Sequence, residues 1–292
     1  GGTEPPLSLV SAWQTDSYPH GIRRNWGLVV FTIILFTLTV SAVAARFWVR
    51  FFVQRNPGID DALIVAALLP ITGLAIATCL AGRLYGFDRH IWDLPPDLAV
   101  QSRQIHMVIA AMYMVSTGLT KISILCFYRR MEVGIIKNWF LYTVWTAIAF
   151  VFAYMSAFLL TLFFGCRPTS SYWNKVDPSW AKTHQYHCLD EGANMLVACV
   201  VCIVQDFIVF VLPLLLLRKL ETSRRQKIAL AVIFGVGFLL CITSILRIVF
   251  IYNIFYRTYD TTWAATPAYV VTAIEAHLAT ICASAPALKF FF

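Results

Sequence analysis

Seven long apolar segments constrain the fold of this chain more than any other feature of its sequence. Each is close to the roughly 20 residues that an α-helix needs to cross a bilayer, and the runs are continuous rather than alternating. With 59% hydrophobic and 13% charged residues, the chain is too apolar for a water-soluble domain. The sequence therefore predicts an all-α, multi-pass integral membrane protein, a bundle of seven transmembrane helices. We predict spans near residues 26–48, 61–80, 104–128, 139–164, 193–217, 228–252 and 269–288.

The distribution of Lys and Arg predicts the orientation of this bundle. The first, third and fifth loops are short and dense in basic residues, among them Arg130 and Lys219, whereas the even-numbered loops are longer and mixed in charge. Because short basic loops stay in the cytosol, we predict an outer or lumenal amino terminus and a cytosolic carboxyl terminus. The whole net charge of +8 then faces the cytosol, where it meets the bilayer surface. We therefore expect no nucleic-acid partner.

The domain organisation follows from the spans. We predict an extracellular or lumenal segment over residues 1–25, one membrane domain over 26–288 and a cytosolic end over 289–292. The chain begins with Gly1 rather than Met, and we expect it to be trimmed from a longer protein.

The last predicted span carries a carboxylate and an imidazole, Glu275 and His277, at a depth where charge is costly. Ionisable residues inside spans almost always face the bundle interior or a wet cavity and pair with one another. Arg247 lies in the outer part of the sixth span, and His106 and Tyr113 lie in the outer half of the third, at a similar level. Two interpretations stay open. Arg247 and Glu275 either only join the last two helices, or they line a pocket in which Tyr113 contacts a ligand.

A second set of charges lies nearer the predicted cytosolic side. Lys121 is in the third span, Asp206 is near the middle of the fifth, and Asp61 opens the second. We predict a structural ion pair between Lys121 and one of the two aspartates. A Schiff base at Lys121 is the alternative. Retinal proteins hold their lysine in the final span, where this chain has Glu275 and His277 instead, so we do not expect light sensing.

The loop after the second span combines acidic, basic and aromatic residues, namely Arg89, His90, Trp92 and Asp93. One interpretation is a lid over the bundle mouth that lends His90 or Asp93 to proton transfer. The other is an interfacial turn braced by contacts between Arg and Asp. Arg89, Trp92 and Trp263, which lies before the last span, are our candidate ligand contacts at this end.

Two cysteines, Cys166 and Cys188, share the long fourth loop. A disulfide between them suits an oxidising lumen, and closing a loop of about 20 residues would stabilise the fold by roughly 3 kcal/mol. His184 and His187 beside Cys188 suggest a metal as the alternative, but no second well-spaced cluster accompanies them, so we expect no metal. Motifs for nucleotides, nicotinamide cofactors and metalloproteases are absent from the sequence, and we expect no cofactor.

Short motifs occur along nearly the whole chain in a fixed order. They are Gly58-Ile59-Asp60-Asp61, Tyr85-Gly86-Phe87-Asp88-Arg89-His90, Leu119-Thr120-Lys121-Ile122-Ser123, Cys166-Arg167-Pro168, Leu212-Pro213 and Ile281-Cys282-Ala283-Ser284. Together they resemble the fungal rhodopsin-domain family of seven-helix membrane proteins, which includes the Pth-type receptor-like proteins. The resemblance implies the seven-helix fold, but it does not imply an activity, because most members are uncharacterised.

The first of two candidate functions is a membrane-embedded biosynthetic enzyme that performs cofactor-free acid–base chemistry, a cyclisation or an isomerisation. Its partner would be a lipophilic small molecule reached from the bilayer. Glu275, kept protonated by an apolar site, would be the acid, and Arg247 would steer its protonation. The candidate proton relay consists of His90, Asp93, His106 and His277.

The second candidate function is a receptor that senses a small or lipophilic ligand and signals to the cytosol. The predicted cytosolic loops are short and offer little surface for a partner, which favours the enzyme. For either function we expect a location in the endoplasmic reticulum or the plasma membrane. The oligomeric state stays open.

Overall fold

Seven long helices dominate the structure, a computed structural model that describes residues 21–130, 138–217 and 224–288. The predicted segment before residue 21 and the predicted cytosolic end over 289–292 lie outside the described residues. The long helices are α1 Gly27–Trp48, α2 Ile59–Ala81, α3 Pro96–Arg130, α4 Asn138–Phe164, α5 Glu191–Leu217, α6 Arg224–Tyr252 and α7 Thr261–Leu288. Single turns of π-helix, Val49–Val53 and Asn253–Arg257, extend α1 and α6.

All seven helices are long and apolar enough to cross a membrane, which confirms the predicted fold class. Their outward faces carry large exposed apolar side chains, such as Leu69, Tyr142 and Phe164, which are 78%, 72% and 68% exposed. A water-soluble monomer does not expose apolar surface on this scale, whereas a bilayer solvates it. The chain is therefore a seven-transmembrane-helix bundle.

Two helices begin earlier than hydropathy predicts. Helix α3 starts at Pro96 instead of near residue 104, and α7 starts at Thr261 instead of near 269. The added turns are too polar for hydropathy to identify them as parts of a span. In α7 they form hydrogen bonds with the loop after α2. The hydroxyls of Thr262 and Thr266 donate to the carbonyls of Arg89 and Phe87, each at 3.0 Å. Contacts with this loop therefore support turns that lie beyond the apolar stretch.

The helices form a closed ring in sequence order, with α7 packed against both α6 and α1. Helices α3 and α7 also contact each other across the ring. In each of these two, 61% of the most apolar stretch is buried, against 44% or less in the other five. Lys121 on α3 and Glu275 and His277 on α7 are at most 4% exposed, so these ionisable side chains point into protein and not into lipid, as their cost in hydrocarbon requires.

The long loop between α4 and α5 folds onto the end of the bundle that we predict to be outer, called the outer end from here on. It contains a two-residue strand pair, β1 Cys166–Arg167 antiparallel to β2 His187–Cys188, in which Cys166 lies opposite Cys188. A disulfide joins these two cysteines. Two short helices, Ser171–Asn174 and Pro178–Thr183, lie between the strands, and the first packs against α3.

A buried charge cluster joins the helices at the opposite, inner end. Arg46 of α1 is 1% exposed and donates to Asp61 at 2.8 Å, to Asp60 at 2.7 Å and to the carbonyl oxygen of Ala283 on α7 at 2.5 Å. Arg130 at the end of α3 lies 3.2 Å from Asp60. The cluster therefore links α1, α2, α3 and α7 at one level.

Asp61 forms its ion pairs within this inner cluster and not with Lys121. Asp61 lies in the first turn of α2, beside Arg46. On α3, Ser123 donates to the backbone carbonyl of Asp60 at 2.6 Å, and Lys121 precedes Ser123 by two residues, or about 3 Å along the axis. Arg46 and Arg50 occupy the carboxylate of Asp61, and the aspartate that pairs with Lys121 is Asp206.

Candidate functional site

Four helices contribute polar side chains to one buried cluster near the middle of the bundle, here called the core cluster. On α3, α5 and α6 the contributing residues recur at helical spacing, so that they share one inward face, and α7 contributes one residue. The members are Tyr113 and Lys121 from α3, Cys202, Gln205 and Asp206 from α5, Ser244 and Arg247 from α6, and Glu275 from α7.

Glu275 is held from two sides. Its carboxylate lies against the guanidinium of Arg247, with Oε2 at 3.1 Å from Nε and Oε1 at 3.2 Å from Nη2. The hydroxyl of Tyr113 donates to the same Oε1. Arg247 also lies over the Tyr113 ring, 4.6 Å from its centroid. The structure thus brings together three residues that the sequence placed at one depth, and Glu275 is only 2% exposed.

Lys121 and Asp206 form the second ion pair of the core cluster. The Lys121 Nζ atom lies 2.8 Å from Asp206 Oδ1, and the other carboxylate oxygen of Asp206 accepts from the hydroxyl of Ser244 at 2.8 Å. The core cluster thus holds two cations and two carboxylates, and its charges balance. Such compensation is what makes buried charge tolerable inside a membrane protein.

Cys202 connects the two ion pairs. Its sulfur lies 3.1 Å from Lys121 Nζ, 3.5 Å from Glu275 Oε1, 3.6 Å from the Tyr113 hydroxyl and 3.9 Å from Asp206 Oδ2. Groups that the sequence suggested as separate pairs are therefore one network. Sequence reasoning missed Cys202 because a cysteine in an apolar helix is most often a packing residue.

Three members of the core cluster have the side-chain types of a metal site. Donor atoms of Cys202, Asp206 and Glu275 lie within 4.8 Å of one another. However, Lys121 already lies against Cys202 and Asp206, and Arg247 lies against Glu275. A metal ion would add positive charge beside two buried cations, so the donor set suits a hydrogen-bonded network better than a metal.

His277 lies on the other side of α7 from Glu275. Two residues correspond to about 200° around a helix, so neighbours at this spacing face opposite ways. The fully buried His277 ring packs edge-on to Phe36 of α1, and its Nδ1 lies 2.9 Å from the hydroxyl of Thr39. The structure thus places His277 at the interface of α1 and α7 and not in the core cluster.

His106 also lies apart from the core cluster. Its Nδ1 is 2.8 Å from the hydroxyl of Tyr269. It precedes Tyr113 by seven residues, or about 10 Å along α3. The predicted level was therefore correct only to within two turns of helix, and His106 belongs to the outer end.

The partner of His90 is Asp260, at the start of α7. The two side chains meet at 2.5 Å between Nδ1 and Oδ2, and Asp260 Oδ1 accepts from the backbone N–H of Ile91 at 3.1 Å. The imidazole is stacked between Trp92 and Trp263, with ring centroids 4.5 and 4.2 Å away. His90 therefore ties the loop after α2 to α7.

The remaining predicted residues of this loop fit a braced turn. Arg89 lies 3.3 Å from Asp88, an Arg–Asp contact of the kind that this interpretation requires. Asp93 ends the single 3₁₀ turn Ile91–Asp93. Of the predicted relay residues, His90 and Asp93 thus share this turn, where the backbone N–H of Asp93 donates to the carbonyl of His90, whereas the side chains of His106 and His277 contact Tyr269 and Thr39.

A further charged group at the outer end, here called the outer charge cluster, was not anticipated from the sequence. Arg103 of α3 pairs with Glu191, the first residue of α5, and Lys175 Nζ lies 3.4 Å from the same carboxylate oxygen. The Tyr172 ring lies 4.7 Å from the Arg103 guanidinium, and its hydroxyl donates to Glu191 at 3.2 Å. Burial raises the pKa of the Tyr172 hydroxyl, so it stays protonated and remains a donor.

Comparison with known proteins yields one family and several distant relatives. Residues 45–292 match the Fungal rhodopsin domain. Polyenoic acids biosynthesis gene cluster protein Ba17b of Metarhizium anisopliae is 27% identical over 245 residues, which are 78% of this chain and 64% of that protein. Receptor GIN3 of Arthrobotrys oligospora is 26% identical over 278 residues, 93% of this chain and 63% of the receptor.

A third relative adds to the same pattern. Wortmanamides biosynthesis cluster protein C of Talaromyces wortmannii is 26% identical over 268 residues, 89% of this chain and 69% of that protein. The chain spans less than two thirds of the length of Ba17b and of GIN3. No solved structure matches it. The similarity therefore extends both to proteins named for biosynthesis clusters and to one named as a receptor.

Proposed function

The chain belongs to the Fungal rhodopsin domain family, and from this premise we propose that it is a membrane-embedded enzyme of fungal secondary metabolism. It converts a lipophilic small molecule inside the bundle by acid–base catalysis without a cofactor, in a cyclisation or an isomerisation. Two of the relatives are named as proteins of biosynthesis clusters, which supports this setting. The membrane that we propose is the endoplasmic reticulum or the plasma membrane.

The observation that carries the proposal is the convergence of Arg247 and Tyr113 on a buried Glu275. Oε1 accepts from Tyr113 and from Arg247 Nη2, whereas Oε2, 3.1 Å from Arg247 Nε, has no hydrogen-bond partner among the described residues. We therefore propose that the ionised Glu275 accepts a proton at Oε2, as a base in place of the acid predicted from the sequence. Glu275 removes a proton from the substrate, and the hydroxyl of Tyr113 returns one at a second position; transfer of the proton from Glu275 to Tyr113 across their hydrogen bond then restores both residues. The substrate keeps its composition, which is why a cyclisation or an isomerisation needs no co-reactant. Arg247 stabilises the negative charge that develops between the two steps.

Replacing Glu275 by Gln tests this proposal. The change keeps the size of the side chain but removes the base. In a fungal strain that lacks the native gene, the parent chain and the variant are expressed at matched levels, and lipophilic metabolites are profiled by mass spectrometry. We expect the product to fall by about 100-fold or more in Glu275→Gln, with accumulation of its isomer.

The matched control is Thr272→Val on the same helix. Among the described residues, its hydroxyl donates to the carbonyl of Ala268 one turn earlier and to no other group, and Val has nearly the same shape. Thr272→Val should give the metabolite profile of the parent. A Glu275→Gln strain with an unchanged profile would show that Glu275 is not the base.

A receptor is the second candidate, and two observations favour it. One relative is named as a receptor, and the core cluster connects α3, α5, α6 and α7. A ligand that separated Arg247 from Glu275 would change the contacts of all four helices together. In that case, loss of the gene would leave the metabolite profile intact and abolish a response to an added ligand.

A further inference from the structure

The outer charge cluster holds more positive than negative charge. Within the described part of the chain, Glu191 is the only carboxylate in contact with Arg103 and Lys175. The three side chains are only 14%, 7% and 9% exposed for Arg103, Lys175 and Glu191, respectively. A cation buried without a counter-charge is strongly unfavourable. One further negative charge at this place would balance the cluster.

The same region contains hydrogen-bond donors without partners. Among the described residues, neither Arg103 Nε nor the hydroxyl of Ser171 has a hydrogen-bond partner, although both atoms are buried. Ser171 is fully buried and lies one turn before Lys175, whose backbone N–H donates to its carbonyl oxygen at 3.1 Å. Buried donors of this kind are rare in folded proteins, and their grouping beside excess positive charge suits an anion.

An apolar cluster rich in methionine lies directly below these charges. Met107 follows Arg103 by one turn of α3, and Met195 follows Glu191 by one turn of α5. With Met114 and Met155, four of the six methionines of the chain pack in this one cluster between α3, α4 and α5. Methionine side chains adapt to irregular apolar partners, which suits a hydrocarbon chain that enters and leaves.

Helix geometry relates this region to the core cluster. Ten residues separate Arg103 from Tyr113 on α3, and eleven separate Glu191 from Cys202 on α5. At about 1.5 Å per residue, both helices place the two clusters about 15 to 16 Å apart along the bundle axis. A molecule anchored at the outer charge cluster would have to extend past the methionines to reach Glu275.

We propose that the outer charge cluster binds the carboxylate of a lipophilic acid, and that the methionine cluster packs against its hydrocarbon chain. Arg103, Lys175 and Ser171 would hold the carboxylate. The excess of one positive charge matches a monoanion, which favours a carboxylate over the phosphate of a lipid headgroup. The inference rests on the proposed function in one respect, that the bound acid is the substrate of the enzyme. Binding of the acid at this site does not itself depend on turnover.

Binding of dodecanoate to the purified protein in non-ionic detergent tests the inference. Equilibrium dialysis compares dodecanoate with dodecanol, which lacks the charge, and with dodecyl phosphate, which represents a lipid phosphate. The informative variant is Lys175→Met, because it removes the excess charge and leaves the Arg103–Glu191 pair neutral. Lys182→Met is the matched control, since Lys182 is an exposed lysine of the same loop.

We expect Lys175→Met to weaken dodecanoate binding by about 10-fold or more, the usual weight of a charge-assisted hydrogen bond. Dodecanol should bind both proteins equally, and Lys182→Met should bind dodecanoate like the parent. Equal dodecanoate affinity in Lys175→Met and the parent would overturn the inference. So would tighter binding of dodecyl phosphate than of dodecanoate, because the site would then prefer a lipid phosphate.

Glu275→Gln separates this inference from the proposed function. The variant should keep the dodecanoate affinity of the parent, because Glu275 lies about 15 Å from the outer charge cluster. Unchanged binding together with an unchanged metabolite profile would remove the proposed enzyme and leave the carboxylate site standing. Unchanged dodecanoate affinity in Lys175→Met together with a lost product in Glu275→Gln would remove the carboxylate site and leave the proposed enzyme standing.

Discussion

Replacing Lys121 by Met tests whether ion pairs hold the core cluster together. Lys121 Nζ and Asp206 Oδ1 are 2.8 Å apart, which corresponds to an attraction of about 6 kcal/mol at an effective dielectric constant of about 20. Desolvation offsets much of this attraction, so the pair as a whole adds little to stability. Removing one partner is different, because the other charge then stays buried without compensation.

The contacts of the two residues predict unequal effects. Without Lys121, the charge of Asp206 has the neutral hydroxyl of Ser244 as a donor but no cation beside it. Lys121→Met should therefore lower the free energy of unfolding by roughly 3–5 kcal/mol. Without the charge of Asp206, Lys121 keeps Cys202 Sγ at 3.1 Å and Gln205 Oε1 at 3.5 Å as neutral acceptors. Asp206→Asn should therefore cost less, about 2 kcal/mol. The double variant should cost no more than about 2 kcal/mol, which gives a coupling energy of at least about 3 kcal/mol.

The assay is a double-mutant cycle on the purified protein. Unfolding is followed by circular dichroism as the mole fraction of SDS in mixed micelles rises, and Lys182→Met serves as the control for replacing Lys by Met at an exposed position. A coupling energy below about 0.5 kcal/mol would refute the reasoning. So would a Lys121→Met variant as stable as the parent, because Asp206 would then have no need of its cation.

Two further predictions concern the ends of the bundle. Arg46→Met leaves two buried aspartates without one of their donors and should lower stability by about 3–5 kcal/mol in the same SDS titration. The control Arg55→Met, at an exposed position, should be as stable as the parent. An Arg46→Met variant as stable as the parent would contradict the role given to the inner cluster. Asp260→Asn weakens the contact with His90 and should speed amide hydrogen exchange of residues 88–94 by about 10-fold. Unchanged exchange would mean that aromatic stacking on His90 holds this loop without the ion pair.

The approximate depth of the charged residues inside the apolar segments could be predicted from the sequence. Helical rise converts the position of a residue within an apolar segment into a height in the bilayer. This relation placed Arg247 and Glu275 at one level and Lys121 near Asp206, and the cost of buried charge required that such groups find partners. The same reasoning predicted the seven helices, because a run of apolar residues has few other stable arrangements in a membrane.

Rotation about the helix axis and the path of the loops were decided only by the tertiary structure. His277 and Glu275 are two residues apart, yet one faces α1 and the other faces α3 and α6. A sequence with apolar residues all around its helices does not show which face turns inward. The same limit concealed the position of Cys202 between two ion pairs.

Partners on loops were still less predictable. The polar turns that begin α3 and α7 escape hydropathy, and the outer loops could meet them in many ways. The pairing of His90 with Asp260, and of Arg103 and Lys175 with Glu191, depends on where the chain returns after long excursions. Depth in a membrane is a local property of the sequence, whereas facing and pairing depend on the packing of all seven helices at once.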